Sequence, residues 1–409
     1  MENLEQLDSH PALFLLRNAL AIPKLTYLLR TSPTWRNMDI LHSYDDVMRK
    51  GLETFLNNRG IVTGNWEQAT LPVAMGGLGI RKASSLALPA FLSSANATAF
   101  ASNALLPTLT DYSYLDEADQ LWREKMGENA AQYYPQDVTV QENFDFPLCN
   151  NVLTRLIDSS PSESERAILL AVSSDHSSEW LQAVPVSSLG LKLDDTSLKT
   201  AVGLRLSTKL CSHVFRCICG KAVDEFARHG LHCTLSRGRH KRHAEANNII
   251  QRALATCDFP SKIEPTAMCE HDRKRPDGLT YFNYKAGKPL TWDFTNPCTI
   301  APSNISDSIK GAGETANVHE KKKLNKYREL QKDYHLVPIA VETFGSFGQQ
   351  GRKLVDEIGN MIIEKSGEKR SKFYLYQRIS MAIQRGNVAS VLGTVEQQEK
   401  LNEIFNLVT

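Results

Sequence analysis

The sequence has little net charge, few cysteines for its length and no long uninterrupted run of apolar residues. Its 409 residues carry 47 basic and 46 acidic side chains, a formal net charge of +1. Eight cysteines are too few and too unevenly spaced for a disulfide scaffold of this size. No run approaches the roughly 18 apolar residues of a membrane span, and residues 1–25 lack a basic leader with a cleavage site. We expect a globular chain of about two or three domains and no membrane helix.

The near-zero net charge conceals two segments of opposite sign. Residues 111–165 contain 12 acidic and 3 basic side chains, whereas residues 204–243 contain 9 basic and 2 acidic ones. A basic segment of this density is typical of a surface that binds a polyanion. The second segment therefore predicts contact with nucleic acid.

Residues 1–132 predict an all-helical region, since leucines recur at helical spacing from Leu13 onwards. The stretch Ser43-Tyr44-Asp45-Asp46 contains the Tyr-x-Asp-Asp pattern of a polymerase metal site. Such a carboxylate pair needs a hairpin with apolar strands on both sides, whereas this stretch begins a helical pattern for which Ser43 is a suitable N-cap. We interpret it as a helix start. The glycine-rich loop 71–81 lacks the lysine and hydroxyl residue of a phosphate-binding loop and predicts a structural turn.

The remaining organisation follows from proline, asparagine and cysteine positions. Prolines and asparagines in 133–163 predict a linker. A helical segment is expected over 164–210, a cysteine/histidine knuckle with a basic stretch over 211–239, and a mixed α/β (α+β) domain over 240–409. In that last domain the apolar periodicity predicts the order α-β-β-β-α-β-α, with a hairpin over 277–295 and a long helix over about 305–330.

Four potential zinc ligands lie within 17 positions, at Cys217, Cys219, His229 and Cys233. Thiolates and imidazole are the ligands of a tetrahedral structural zinc, and close pairs of them let a short loop wrap one ion. His229 is preferred because its spacing from Cys233 suits one turn. His232, His213 and Cys211 remain alternatives.

Basic residues follow the knuckle and recur before the hairpin. Next to a zinc knuckle, contact with nucleic-acid phosphates is the favoured role for such residues. The predicted nucleic-acid-binding set is Arg237, Arg239, Lys241, Arg242, His243, Lys274 and Arg275.

Asp277 and Asp293 lie at the ends of the two predicted hairpin strands, so hairpin geometry can bring them side by side. Two adjacent carboxylates repel unless a divalent cation neutralises them. Mg²⁺ held there would polarise a phosphate and lower the pKa of an attacking water, and a lysine would stabilise the developing charge. The pattern therefore predicts a Mg²⁺-dependent phosphodiesterase.

Taken in their order along the chain, these motifs resemble those of a known protein family. Residues 240–365 are similar to a PD-(D/E)XK restriction-like endonuclease. The wider chain resembles the carboxy-terminal part of non-LTR retrotransposon proteins, with a reverse-transcriptase-thumb-like helical region, the 71–80 segment, a CCHC knuckle and Arg242-His243 with Asn247. The resemblance implies a nuclear protein that nicks target DNA for insertion and acts beside the element RNA. The polymerase fingers and palm are absent from this sequence, so we expect no RNA copying by this chain alone.

The sequence departs from the family motif at one position. Thr295 stands where the family motif has its lysine, which implies that the lysine has moved to the following helix, at Lys323 or Lys326. The helical phase favours Lys323 facing the acids and Lys326 nearer the DNA backbone. Glu245 is a further candidate for assisting the metal. The competing interpretation is a non-catalytic nucleic-acid-binding relic that keeps the zinc and basic residues.

Overall fold

The computed structural model describes residues 4, 6–56, 63–105, 113–236, 238–266, 268 and 275–395. The chain is a mixed α+β protein that divides into two compact units, Met1–Ser159 and Ser160–Thr409. The boundary falls near the end of the segment 133–163 that was predicted to be a linker. Each unit has hydrophobic clusters of its own.

The described residues of the first unit form helices and turns. The helices are α1 (Ser9–Leu15), α2 (Ile22–Thr31), α3 (Met38–Phe55), α4 (Thr63–Thr70), α5 (Ala83–Leu105), α6 (Ser113–Met126) and α7 (Gln141–Asp158). Their largest hydrophobic cluster includes Trp35, Trp122 and Phe144. The buried Trp122 indole donates to the Phe144 carbonyl at 3.0 Å, so the ring is packed without an unpaired polar group.

The segment Ser9–Thr31 is long and apolar enough to cross a membrane by length and composition, with a mean hydropathy of 1.3, and 28% of it is buried. Core helices of soluble proteins pass the same test. This property alone therefore assigns no membrane location.

The predicted linker contains a helix instead. Helix α7 occupies most of 133–163, and Pro147 lies inside it. Phe144 and Cys149 on the same helix are buried, and burial of such an apolar stripe outweighs the low helix propensity of proline and asparagine. Most of this segment is therefore helix rather than linker, and only its end coincides with the boundary between the two units.

Asp45 lies inside α3, which begins at Met38 and not at Ser43. The helical interpretation of this stretch is confirmed, but its predicted N-cap is wrong. Asp45 is buried and accepts a hydrogen bond from the backbone N–H of Ala83 at 2.7 Å. The Asp45 carboxylate thus caps the N-terminus of α5, where a negative charge is favourable.

The glycine-rich loop 71–81 is a structural turn, as predicted. Gly76 and Gly79 have φ angles of 85° and 75°, which favour glycine. The backbone N–H of Gly76 donates to Val73, and that of Gly79 donates to Leu71. These donors are satisfied within the loop, so it presents no nest of free amides to a phosphate.

The second unit combines helices with two small sheets. Its helices are α8 (Glu163–Val172), α9 (Glu179–Gln182), α10 (Asp195–Leu206), α11 (Gly238–Thr256), α12 (Ile305–Ser308), α13 (Glu314–Lys326), α14 (Gln349–Ser366) and α15 (Ser371–Leu392). Its strands are β1 (Phe215–Arg216), β2 (Ala222–Val223), β3 (Ser261–Ile263), β4 (Gly278–Lys285), β5 (Lys288–Thr295) and β6 (His335–Ala340).

The α-β-β-β-α-β-α order from α11 to α14 is confirmed, with α12 and α15 in addition. The predicted long helix over 305–330 is divided into α12 and α13 by a turn in which Gly313 has a φ angle of 77°. Glycine is the residue that enters this conformation without strain, so the break is encoded locally.

The larger sheet has the order β3-β4-β5-β6, in which β5 and β6 are parallel and the other pairs antiparallel. Ala286 and Gly287 both have positive φ angles, 51° and 72°, as a two-residue hairpin turn between β4 and β5 requires. Trp292 on β5 packs in one cluster with residues of α11, α14 and α15. Because side chains alternate along a strand, Asp293 belongs to the opposite face.

The knuckle is not a separate domain. Cys217 and Cys233 belong to the same hydrophobic cluster as Ala167 of α8 and Val391 of α15. Ile218 also donates its backbone N–H to the Thr394 carbonyl at 3.1 Å. The predicted segments 164–210, 211–239 and 240–409 therefore share one core.

A buried carboxyl group after β6 predicts a pH-dependent stability. Glu342 is 1% exposed and accepts from the Ala316 N–H at 3.2 Å, and burial raises its pKa to about 7 from 4.5. A raised folded-state pKa contributes stability that is complete below about 4.5 and is lost as the pH rises through about 7. Glu342→Gln should therefore raise the free energy of unfolding by up to ~3 kcal/mol at pH 8.

This gain should be absent at pH 4.5, where Glu342 is already neutral in the folded protein. Urea unfolding of wild type and variant at the two pH values measures the difference. Glu329→Gln, on an exposed side chain, is the control. An equal effect of Glu342→Gln at both pH values would contradict the titration of this group.

Candidate active site and metal centre

The strand register places Asp277 and Asp293 opposite each other. Gly278 pairs with Trp292 in the antiparallel β4–β5 ladder, so the residues immediately outside that pair face each other and share one side of the sheet. Gly278 makes the approach possible, because a Cβ at this position would lie 2.1 Å from a Trp292 ring carbon. The glycine of the Asp-Gly dipeptide thus leaves room for the tryptophan of the Trp-Asp dipeptide, and the two aspartates lie opposite each other.

Asp293 is a buried carboxylate, 3% exposed, between a lysine and a tyrosine. Lys323 Nζ lies 2.5 Å from Asp293 Oδ2, and the Tyr327 hydroxyl lies 2.8 Å from Oδ1. The Lys323 ammonium therefore compensates the charge of this buried carboxylate.

Asp277 receives two donors on a single oxygen. Its Oδ2 accepts from the backbone N–H of Phe294 at 2.6 Å and lies 2.9 Å from His243 Nε2. The hydrogen bond that His243 donates to Asp277 raises the pKa of His243, and burial opposes this rise. The Asp277 side chain is 14% exposed and that of His243 is 42% exposed, so the site opens to solvent on the His243 side.

Asn247 fixes the orientation of His243. The Trp292 indole donates to Asn247 Oδ1 at 2.9 Å, which leaves the amide nitrogen facing His243 Nδ1 at 3.3 Å. Nδ1 is then the acceptor, and Nε2 carries the proton that is donated to Asp277. The i, i+4 spacing on α11 puts both side chains on one face, and this spacing was the sequence signal for the contact.

The two candidate lysines on α13 differ in their contacts. Lys323 reaches Asp293 directly, whereas Lys326 Nζ contacts the Tyr327 hydroxyl at 2.8 Å. Helix α13 ends at Lys326, short of the end predicted near residue 330. Tyr327 was not predicted as a site residue, although it is 2% exposed and touches Asp293.

Two aspartates suffice as protein ligands for Mg²⁺, because this ion keeps several waters and binds through one or two carboxylates. The opposed positions of Asp277 and Asp293 fit this donor set. Lys323 beside them supplies a positive charge without occupying the Asp277 side. The carboxylates and lysine could therefore form a phosphoryl-transfer site.

Glu245 does not join this group. Its carboxylate lies 3.7 Å from Arg385 of α15. Residues two positions apart on a helix are separated by about 200°, so while His243 faces Asp277, Glu245 is directed away from it. The prediction that Glu245 assists the metal was wrong.

Arg242 is also buried rather than available to a phosphate. It is 1% exposed, its guanidinium contacts Asn387 of α15, and burial lowers its pKa to about 10. Its predicted contact with nucleic acid was wrong, because its environment is the packed junction between α11 and α15. This error arose because charge density along the sequence gives no information about burial.

The remaining predicted nucleic-acid-binding residues have diverse positions. Arg239 and Lys241 are exposed in the first turn of α11. Arg275 is exposed and forms an ion pair with Glu264 at 2.8 Å. Arg237 and Lys274 lie outside the described residues.

The four predicted zinc ligands form one cluster. The ligand atoms of Cys217, Cys219, His229 and Cys233 all lie within 4.8 Å of one another. The Cys217 and Cys233 sulfurs are 3.6 Å apart, and Cys219 Sγ is 3.2 Å from His229 Nε2. Tetrahedral zinc with bonds of ~2.3 Å places its ligand atoms roughly 3.7 Å apart. The cluster can therefore hold a metal ion.

Local turns build the cluster. Cys217 and Cys219 occupy the turn between β1 and β2, where Gly220 has a φ angle of 82° and donates to the Cys217 carbonyl at 2.7 Å. The Cys233 N–H donates to the His229 carbonyl at 3.0 Å. Both halves of the site are short hydrogen-bonded loops, which explains why sequence spacing sufficed to find them.

Burial raises the pKa of the Cys217 thiol to about 12. A bound cation would stabilise the corresponding thiolate. The alternative ligands lie outside the cluster: Cys211 is buried elsewhere in the same core, and His213 is exposed. The His232 ring packs edge-on against His229 at 5.2 Å.

Within the part of the chain that the structure describes, no other group of three or more potential ligands is this close. Comparisons with protein-family models and with curated proteins find no match to this chain.

Proposed function

We propose that this chain is a Mg²⁺-dependent DNA endonuclease of the PD-(D/E)XK type with a structural zinc knuckle. The observation that carries the proposal is the convergence of Asp277, Asp293 and Lys323 on one side of a mixed sheet. The α-β-β-β-α-β order around this sheet is compatible with a restriction-like core. The wider retrotransposon assignment rests on the sequence motifs.

The proposed mechanism assigns a separate task to each side chain. Asp277 and Asp293 would hold the cation, which supplies a Lewis acid for the phosphate and a water of lowered pKa. Lys323, anchored by Asp293, places its positive charge where the phosphate becomes more negative in the transition state. Tyr327 orients the Asp293 carboxylate through its 2.8 Å contact.

His243 is proposed as a positioning residue for Asp277. The Trp292–Asn247–His243 chain of hydrogen bonds directs the Nε2 proton at Asp277 Oδ2. That oxygen is then occupied by two donors, and the other oxygen of Asp277 is left for the metal. The arrangement resembles the outer-shell contacts that orient metal-binding carboxylates in general.

A supercoiled-plasmid assay tests the proposed activity. With zinc-loaded protein and Mg²⁺, open-circular DNA should accumulate, and EDTA added at the start should prevent this. Separate addition of Zn²⁺ without Mg²⁺ distinguishes the structural ion from the catalytic one. If nicking never occurs with any divalent ion but DNA is still bound, the non-catalytic relic is the better account.

The exposed basic residues at the start of α11 give a binding prediction. Arg239→Ala with Lys241→Ala should weaken binding to all DNA sequences alike, by about tenfold at low salt, and reduce the salt slope by roughly 2, as expected for two lost phosphate contacts. Fluorescence anisotropy at several salt concentrations measures both quantities.

The matched control is Lys369→Ala, which removes an exposed lysine between α14 and α15. It should leave both the affinity and the slope unchanged. If the α11 double variant also keeps the wild-type slope, the DNA-binding face lies elsewhere. Arg242→Ala should instead lower the melting temperature, because the side chain is buried.

A further inference from the structure

Strand β4 carries a two-residue irregularity just beyond the proposed active site. Leu279 pairs with Thr291, but Asn283 pairs with Pro289, so four steps along β4 correspond to two along β5. The extra residues lie within Thr280–Phe282, which we call the aromatic bulge. Bulges of this kind redirect side chains and recur next to active sites.

The aromatic bulge is held by hydrogen bonds. Thr280 is 1% exposed, and its hydroxyl accepts from the Leu290 N–H at 2.9 Å and donates to the Phe282 carbonyl at 2.9 Å. The Tyr281 N–H donates to the Pro260 carbonyl at 3.0 Å. The backbone of the bulge is therefore tied to both neighbouring segments.

This backbone presents two neighbouring aromatic rings to solvent. Tyr281 and Phe282 are each 62% exposed. Within the described part of the chain, neither ring takes part in an aromatic or cation–π contact, whereas the nearby Tyr284 packs against Phe259 at 5.1 Å. Contiguous exposed apolar side chains are typical of interaction surfaces.

Lysines lie on both strands that pair with β4. Lys262 is exposed on the neighbouring strand β3, and Lys288 donates its ammonium hydrogens to the carbonyls of Gln331 and Lys332 rather than to a carboxylate. Lys285 is paired with Glu357 at 3.0 Å. Aromatic rings flanked by cations are the arrangement that binds unpaired bases together with their phosphates.

We propose that Tyr281 and Phe282 stack on unpaired bases of the DNA strand beside the cleavage site. This inference rests on the proposed function and extends it to a substrate class: DNA with locally separated strands. Tyr281 is four residues from Asp277 along the same chain segment, so bases that stack on it would lie a few nucleotides from the scissile phosphate.

The test compares two DNA molecules under conditions without cleavage. Fluorescence anisotropy in Ca²⁺ measures affinity for a perfect duplex and for the same duplex with four unpaired bases on one strand. Wild type should prefer the second DNA. Tyr281→Ala with Phe282→Ala should weaken binding to it by about tenfold or more, while affinity for the perfect duplex should change less than twofold.

Conservative variants separate stacking from apolar contact. Tyr281→Phe should keep the wild-type preference, whereas the double leucine variant should lose it as the alanine variant does. Tyr27→Ala, which removes a 79% exposed tyrosine on α2, is the matched control and should have no effect. Equal melting temperatures exclude loss of folding as the cause.

Each outcome bears on the proposal. Unchanged affinity of the double alanine variant for both DNAs, or full rescue by leucine, would overturn the stacking role while leaving the nuclease proposal intact. If wild type binds neither DNA, the proposed function fails and the stacking role fails with it. Loss of the preference in the alanine and leucine variants alone would support it.

Discussion

Replacing either aspartate should abolish nicking while DNA affinity is retained. Asp277→Asn and Asp293→Asn preserve side-chain size but remove the negative charge that would hold a divalent cation, so we expect single-turnover cleavage to fall by at least about a thousandfold, ~4 kcal/mol of transition-state stabilisation. Binding should change little, because the phosphate-contacting cations are elsewhere. Cleavage of an end-labelled duplex and anisotropy on the same preparations measure both effects.

Lys323→Ala should also reduce cleavage strongly, but for a different physical reason. Its charge acts on the transition state, so cleavage should fall by about a hundredfold or more while divalent-ion binding persists. Lys326→Ala is the matched control, because Lys326 contacts the Tyr327 hydroxyl instead of an aspartate. An equal loss for both lysines would contradict the assignment of Lys323 as the catalytic one.

Removal of the knuckle metal should destabilise the whole second unit. A structural zinc site can contribute on the order of 10 kcal/mol to folding, and here its cysteines lie in one core with α8 and α15. Cys233→Ser, or a strong chelator, should therefore lower the melting temperature by tens of degrees, a shift much larger than ordinary point mutations cause.

Hydrogen exchange locates the effect of zinc loss. Amides of the knuckle and of the C-terminal end of α15 should lose protection together, because Ile218 donates to the Thr394 carbonyl. Cys257→Ser, a free buried cysteine outside the cluster, should leave the zinc content at one per chain. Elemental analysis that finds no zinc in folded, reduced wild type would contradict the metal centre.

Features encoded by local sequence were predictable. The knuckle follows from ligand spacing within 17 positions, and the hairpin follows from turn residues between two apolar strands. In both cases the decisive residues lie within one supersecondary unit. The resemblance, not a local pattern, implied a lysine on the helix after the hairpin, and Lys323 of that helix lies beside Asp293.

Contacts between distant segments were not predictable in the same way. The burial of Arg242 depends on α15, which follows it by more than 120 residues. The aromatic bulge depends on the register of two strands, and period-2 alternation alone does not specify an irregular register. The burial of Arg242 and the aromatic bulge both depend on tertiary packing. Local sequence patterns do not reveal such contacts.

Proline content located the domain boundary only in part. Pro147 and its asparagine neighbours indicated a linker, yet α7 runs through them. Pro161, in the same predicted linker, directly follows the boundary at Ser159 and Ser160. A proline inside a helix is tolerated where burial of neighbouring apolar residues compensates the lost hydrogen bond.

The most direct test of the central claim is Mn²⁺ binding by zinc-loaded protein, measured by electron paramagnetic resonance in the presence of an uncleavable phosphorothioate duplex. The account predicts one or two Mn²⁺ ions per wild-type chain, none of them in Asp293→Asn, and an unchanged zinc content in both proteins. Equal Mn²⁺ binding by wild type and Asp293→Asn, or no binding by wild type at millimolar Mn²⁺, would contradict a catalytic metal site at Asp277 and Asp293.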